Sequence, residues 1–581
     1  MSHPIGPTTW SGNYSVGSKF LDQWLQKGEI LHNDREQLKS NLSMPEKSWL
    51  NRQRQHQTSR GATELFDMHH NHRDSGVTDS NSQNYRFPPG IRRFRLLSRR
   101  RGWGGSQPQK PEQANKLNIP PECYQNRRGK AAIALSLIWS LMIIGHLISW
   151  GYWLILGLTG LLVIQAIRIV WAGHRGLDIN PEHRPEELPF VSLLVAAKNE
   201  EAVIGNLVKN LCALNYPSHC YELWVIDDNS SDRTPIVLQE LAKEYQQLHI
   251  LHRDENATGG KSGALNQALP LTRGKILGVF DADATVDSDL LQQVIPKFQA
   301  EQVGAVQLQK AIANSNFNFL TRCQASEMAL DAFFQKQRVA VGGIGELRGN
   351  GEFIRRAALE SCGGWCEQTI TDDLDLTIRL HLDHWDIEFL DTSVVFEEGV
   401  TNWVALWHQR NRWAEGGYQR YLDYGKFIIA NRMGVGKTFD LFGFLITQYI
   451  LPMAAIPDLF MSLILRRPPI TSPLTLLAVS LSLIGMFIGL RRTVSRGNMP
   501  SQKTNSPDNL TTDGDRQAAT ESLGKYYPPL SYMTTLFQTL RGTVYMFHWF
   551  IVVASATARI SVRPKRLKWV KTVHQGTLNH Q

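Results

Sequence analysis

An apolar run, Ile276 to Phe280, ends in two carboxylates one residue apart, Asp281 and Asp283. Side chains two apart on an extended chain project the same way, so this pair can share one hard cation, Mg²⁺ or Mn²⁺, and through it hold the phosphates of a nucleotide. Other chemistry-bearing residues surround the pair in chain order. Asp227 and Asp228 follow Tyr221–Ile226 and can accept hydrogen bonds from a base edge and a ribose; helix capping by Asn229, Ser230 or Asp232 is compatible with that role. Gly259-Gly260-Lys261-Ser262-Gly263 is a glycine-rich loop from which Lys261 can approach a diphosphate, although it lacks full phosphate-loop spacing. Thr371-Asp372-Asp373-Leu374-Asp375 places carboxylates at the start of a helix, and Gln409-Arg410-Asn411-Arg412-Trp413 closes the series.

The elements that must position these residues read as an α/β domain over 189–425. Phe190–Ala197 is apolar on both faces, as suits a buried strand, and Asn199-Glu200-Glu201 opens an amphipathic helix carrying Val203, Ile204, Leu207 and Leu211. Strand, carboxylate-rich turn and helix recur three times by Asp283, the rhythm of a doubly wound sheet whose ligands bind beyond the carboxyl ends of its strands.

On either side the chain becomes a membrane protein. Residues 131–172 are long and apolar enough for a transmembrane hairpin turning near Ser149-Trp150-Gly151, and 439–490 for a second, joined by Arg466-Arg467-Pro468-Pro469. Arg127, Arg128 and Lys130, with His174 and Arg175, put both ends of the first hairpin in the cytoplasm. Residues 1–128 read as a polar, largely disordered cytoplasmic tail and 491–525 as a polar loop. Within the stretch 526–560, Tyr532 to Ala558 is apolar except for Arg541, and a single span there would put the basic tail 561–581 outside, against the positive-inside rule. An interfacial or re-entrant element, or a hairpin of short helices turning near Arg541, fits better.

The 62 Lys and Arg exceed the 53 Asp and Glu, giving a net charge of +9, but the basic residues flank apolar runs instead of interleaving with aromatics. That distribution indicates a membrane surface and no nucleic acid. Arg92–Arg101 is such a cluster, whereas Met68–His72 has no partners at clear metal-ligand spacing. The six cysteines show neither zinc-ligand nor paired spacing, which suits a reducing compartment, and no apolar core of a signal peptide opens the chain.

Taken in order, Asp227-Asp228, Asp281-x-Asp283, Thr371-Asp372-Asp373 and Gln409-x-x-Arg412-Trp413 resemble the membrane-bound, inverting family-2 glycosyltransferases, which include cellulose, chitin and hyaluronan synthases. The resemblance implies a GT-A-type domain set between transmembrane helices. It implies that Asp227 or Asp228 reads uridine, that Lys261 contacts the nucleotide and that Asp281 and Asp283 serve the metal–diphosphate site. Asp373 is implied as general base, with Gln409, Arg412 and Trp413 on the pocket face. Asp372 stands where the family more often has Glu, which retains a carboxylate. Leu347–Arg356 resembles the family's acceptor-side glycine loop, with Arg355 and Arg356 open to reading as a solvated helix face.

The short membrane complement favours a lipid acceptor. Asn402–Gln409 reads either as a Trp-rich interfacial helix or as tryptophans packed within the domain. Residues 409–424 are similar to the cyanobacterial β-monoglucosyldiacylglycerol synthases, implying UDP-glucose and 1,2-diacylglycerol as substrates, 3-β-D-glucosyl-diacylglycerol as product and a plasma or thylakoid membrane location. The alternatives are a processive β-glucan synthase and, of another class, an inactive scaffold retaining the fold.

Overall fold

The computed structural model describes residues 117, 119–173, 188–496 and 531–563, without the side chains of 493–496. Most of the N-terminal tail, with its His cluster and Arg92–Arg101, lies outside these residues, as do His174, Arg175, most of the 491–525 loop and the basic tail beyond Arg563.

An eight-stranded sheet forms the catalytic-type domain, in the order β3-β2-β1-β4-β7-β6-β8-β5. Its strands are β1 (Val191–Ala197), β2 (Tyr221–Asp227), β3 (Leu248–His252), β4 (Ile276–Phe280), β5 (Thr285–Val286), β6 (Val303–Ile312), β7 (Glu352–Arg355) and β8 (Asp386–Glu397). The first four are parallel, as expected of a doubly wound sheet. Beyond β4 the sheet is mixed, since β7 runs antiparallel to both β4 and β6. Register puts Asp227 beside Ala197 and Phe280 beside Val195, so the carboxylates that follow β2 and β4 leave the sheet at one edge.

The unbroken apolar character of β1 has a direct cause. Leu193 and Leu194, both fully buried, project to opposite faces into two separate cores. Burial of each contributes roughly 2 kcal/mol. On one face lie α3 (Ile204–Cys212), α4 (Thr234–Glu244) and α6 (Leu290–Val294); on the other, α5 (Gly260–Ala268), α8 (Arg356–Ser361) and α9 (Asp372–Leu382). Gly278 keeps the central strands close, because a Cβ there would meet Leu193 and Phe353 at 2.8 Å.

Five helical stretches among the described residues are long and apolar enough to cross a membrane: Arg127–Leu147, Gly151–Val170, Val435–Leu465, Ser472–Arg492 and Tyr532–Val562. The first two are α1 (Arg127–Leu147) and α2 (Gly151–Val170). The third comprises α11 (Val435–Leu445), a π-helical turn (Ile446–Ile450) and α12 (Leu451–Leu465), and it is followed by α13 (Ser472–Arg496). Both pairs begin and end against the α/β domain. Arg127 donates to Asp423 and to the Gln368 carbonyl, while Gln337 donates to the carbonyls of Ile169 and Val170. Lys437 pairs with Asp386, and Arg492 donates to Gln337. The opposite ends meet each other through a buried His146–Asp458 contact of 2.7 Å, and Asp458 also accepts from the backbone of Ile470 and Thr471.

The last stretch divides into α14 (Tyr532–Met546) and α15 (His548–Val562). The break falls at Phe547, beyond Arg541, where the sequence suggested a turn; Arg541 instead lies over the Phe319 ring. Two long domain helices underlie it: α7 (Phe319–Ala340), which packs on α13 and α14, and α10 (Trp403–Ile429), which packs on α15.

Candidate active site

At the edge where β2 and β4 end, Asp227 is buried and turns inward. Its carboxylate accepts from Ser230 N at 3.2 Å and meets His252 Nδ1 at 3.1 Å. Asp228 is half-buried and is bound by Arg253 Nη1 and, more loosely, by Lys198 Nζ at 3.7 Å. Arg253 also donates to Thr258 O at 2.6 Å and Gln267 Oε1 at 3.0 Å, tying the Asp227-Asp228 turn to the glycine-rich loop. Sequence reading missed Arg253 and Lys198, because neither lies at a fixed spacing from the carboxylates.

Gly259 and Gly260 have φ of +84° and +54°, conformations that glycine adopts without strain, and they bring Lys261 into the first turn of α5. Lys261 Nζ donates to Asp281 Oδ1 at 2.6 Å and to Gly349 O at 2.8 Å. Burial alone would lower the lysine's affinity for its proton; Asp281 and Asp372 outweigh it and raise the pKa. Gly349, with φ of +75°, passes so close to the expected base that a Cβ would lie 3.3 Å from Asp373 Oδ2. The loop Gly349-Asn350-Gly351 thus joins the two carboxylate groups: Asn350 Oδ1 accepts from Asp281 N at 3.2 Å, and its amide donates to Glu397 at 3.4 Å.

Asp281 keeps 41% of its side chain exposed, and Asp283, nearly buried, accepts from Glu398 N at 2.7 Å. Among the described residues no three His, Cys, Asp or Glu side chains form a closed ligand set. Two carboxylates completed by substrate phosphates are a usual Mg²⁺ arrangement, and Asp281 already attracts one cation, Lys261, so this donor set fits the implied ion.

Asp373 lies in the first turn of α9, and its carboxyl is pushed up to about 6 by burial and by the Asp372 carboxylate. Burial, Asp372 and Asp373 together also raise the deeply buried Glu352 carboxyl well above its ordinary value. Asp375 is different: it is 3% exposed, pairs with Arg379 at 2.7 Å and accepts from Tyr424 Oη at 2.6 Å. From α10, the Arg412 guanidinium is lowered by burial but lies within the field of Asp281, Asp373 and Asp372. Trp413 stands between Lys310, 5.7 Å from its ring centroid, and Arg410, 4.1 Å away. Gln409 Oε1 accepts from Arg410 Nη1 at 2.5 Å.

The structure therefore brings Asp281, Lys261, Asp373 and Arg412 into one electrostatic neighbourhood, with the Asp227-Asp228 turn joined to it through Arg253. Lys310 and Glu397, a 2.6 Å pair on neighbouring strands, belong to its wall and carried no signal in the sequence. Arg355 and Arg356 are not a solvated face: they donate to the carbonyls of Val303 and Phe298, and of Gly274 and Thr272. At the start of α10, Trp403 and Trp407 are exposed rather than packed into the domain.

A family model described as Glycosyltransferase like family 2 matches residues 189–416. The β-monoglucosyldiacylglycerol synthase of Nostoc sp. is 58% identical over 461 residues, covering 79% of this chain and 91% of the relative. That of Synechocystis sp. is 52% identical over 460 residues, covering 78% and 89%. Among solved structures, a mannosyltransferase from Pyrobaculum calidifontis in complex with GDP-Man and Mn²⁺ is 20% identical with a TM-score of 0.41, covering 72% of this chain and 99% of that one. The ordered carboxylates, the helix carrying Gln409, Arg412 and Trp413, and identity over nearly the whole of these relatives lead to one assignment: the chain belongs to the family-2 glycosyltransferases, together with the cyanobacterial β-monoglucosyldiacylglycerol synthases.

Proposed function

We propose that the protein transfers glucose from UDP-glucose to 1,2-diacylglycerol, with inversion, to give 3-β-D-glucosyl-1,2-diacylglycerol. The observation that carries this reading is 58% identity across 91% of a relative named for that product. Asp373 takes the proton of the acceptor hydroxyl as it attacks the anomeric carbon; a carboxyl near pKa 6 is basic enough to accept it and ionised at neutral pH. Single displacement turns an α-linked donor into a β-glycoside and needs no covalent intermediate. Asp227 and Asp228 bind the nucleoside end of the donor, and Lys261 and Arg412 bring positive charge to the diphosphate. Asp281 and Asp283 would hold Mg²⁺ or Mn²⁺, which when bound neutralises charge on the leaving diphosphate.

The acceptor arrives from the membrane. Trp403, Val404 and Trp407 at the start of α10, with Phe317 and Phe319 just before and at the start of α7, are exposed apolar groups of the kind that settle among lipid headgroups. The α/β domain stands on the cytoplasmic side, where Arg127, Arg128 and Lys130 precede the first hairpin. The C-terminal helices do not change sides. Tyr532 lies under Arg491 at the domain end of α13, and Arg559 donates to Asn411 while Ile560 packs with Ala131 in the first turns of α1. These contacts support reading 532–562 as an interfacial element with both ends at one membrane face.

The test is to incubate membranes containing the protein with labelled UDP-glucose or UDP-galactose and extract with chloroform. Label from UDP-glucose in the lipid phase is expected; label in an insoluble polymer would make the protein a processive synthase, and label in neither would leave the scaffold.

A further inference from the structure

Glu327, in the middle of α7, is a buried carboxylate that the chemistry above does not use. Its oxygens take three donors from distant parts of the chain: Arg410 Nη2 at 2.7 Å, Tyr545 Oη at 3.1 Å and Trp549 Nε1 at 2.8 Å. Burial would raise its pKa, but Arg410 and His548 beside it hold it below the usual carboxylate range. Arg410, only 1% exposed, is the other half of the device. Its guanidinium lies 4.1 Å from the Trp413 ring centroid and donates to Gln409 at 2.5 Å, so it fixes two of the three α10 residues that face the pocket. A guanidinium buried this deeply stays where its carboxylate is, because leaving either charge alone is costly. The carboxylate is in turn oriented by two neutral donors, one at the end of α14 and one at the start of α15.

We propose that Glu327, Tyr545 and Trp549 are positioning residues: the C-terminal membrane element, acting through Glu327, sets the Arg410 guanidinium and with it Trp413 and Gln409. The apolar C-terminal helices are then part of the transfer machinery as well as an anchor. Asp227, Asp228 and Lys261, which hold most of the donor, stand apart from this network, so donor affinity should change far less than kcat. The inference rests on the transferase reading only for its readout.

The experiment compares purified full-length variants in detergent, with UDP-glucose and diacylglycerol. Trp549→Phe removes one N–H together with the five-membered ring of the indole, and Tyr545→Phe removes one O–H. Together they should lower kcat by roughly tenfold or more, as charge-assisted bonds warrant, with the donor KM within about twofold and a Tm lowered by only a few degrees. Glu327→Gln should lower kcat further, at a cost in Tm. Glu327→Gln/Arg410→Gln discriminates structure from position: it removes both charges, so Tm should recover while kcat stays low. Wild-type kcat in the folded Tyr545→Phe/Trp549→Phe variant, or recovery of kcat together with Tm in the double-neutral one, would overturn the proposal. UDP release from UDP-glucose is followed in parallel. If wild type releases UDP but labels no diacylglycerol, the proposed acceptor fails while the same ranking of variants, read as UDP release, still decides the positioning role.

Discussion

Two carboxylates of one helical turn, Asp373 and Asp375, have opposite surroundings. Asp373 faces Gly349 and the field of Lys261 and Arg412, whereas Asp375 is bound on both oxygens by Arg379 and Tyr424. Asp373→Asn should keep UDP affinity and lose roughly 10²- to 10⁴-fold in kcat; a parallel loss of UDP binding would make it a nucleotide-site residue instead. The raised carboxyl is protonated below about 6, so kcat should fall about tenfold per pH unit on the acid side and level off above it. A profile flat down to pH 5 would remove Asp373 as base. Asp375→Asn should act through stability, costing about 3 kcal/mol because it strands a buried guanidinium, readable as a lowered Tm with donor KM retained. For the cation pair, Asp283→Ala and EDTA should each abolish nearly all turnover, and full activity in chelator would exclude a metal role.

At the scale of elements, α10 does the joining. Gly416 and Gly417 let it lie against the start of α9 and against the π-helical turn: Cβ atoms there would fall 2.2 Å from Thr371 Oγ1 and 2.0 Å from Tyr449 Oη. Gly416→Ala should therefore push α9 and α10 apart, costing about 1–3 kcal/mol and lowering kcat through Asp373. An unchanged Tm and kcat would show that Thr371 simply rotates away. Much of the site was legible from spacing, because β1, β2 and β4 are apolar runs that stop at a polar turn. The strands β3 and β7 were not: β3 is short and half-exposed, and β7 has four residues and runs against its neighbours. Nor was the support of the site. Arg253 on Asp228, Asn350 on Asp281 and Glu327 on Arg410 are contacts between residues far apart in the chain, for which periodicity carries no information.

Across the whole molecule, both hairpins begin and end against the α/β domain among the described residues, so all of their termini are expected on the domain's side of the membrane. A tag placed after Gln581 should be reached by protease only in preparations that also expose 190–425, and sealed right-side-out cells should leave both intact. Cleavage of the tag alone from outside would turn 532–562 into a span. The far ends of the two hairpins carry a further consequence. There Asp458 gathers His146 and the backbone of Ile470 and Thr471, so the hairpins are stitched together at the face remote from the chemistry. On the proposed function, a glucolipid made at the near face would leave sideways, into the leaflet that supplied its acceptor. That lipid would stay in one half of the bilayer until a separate translocator moved it, and the rate of that step would then set the asymmetry of the finished membrane.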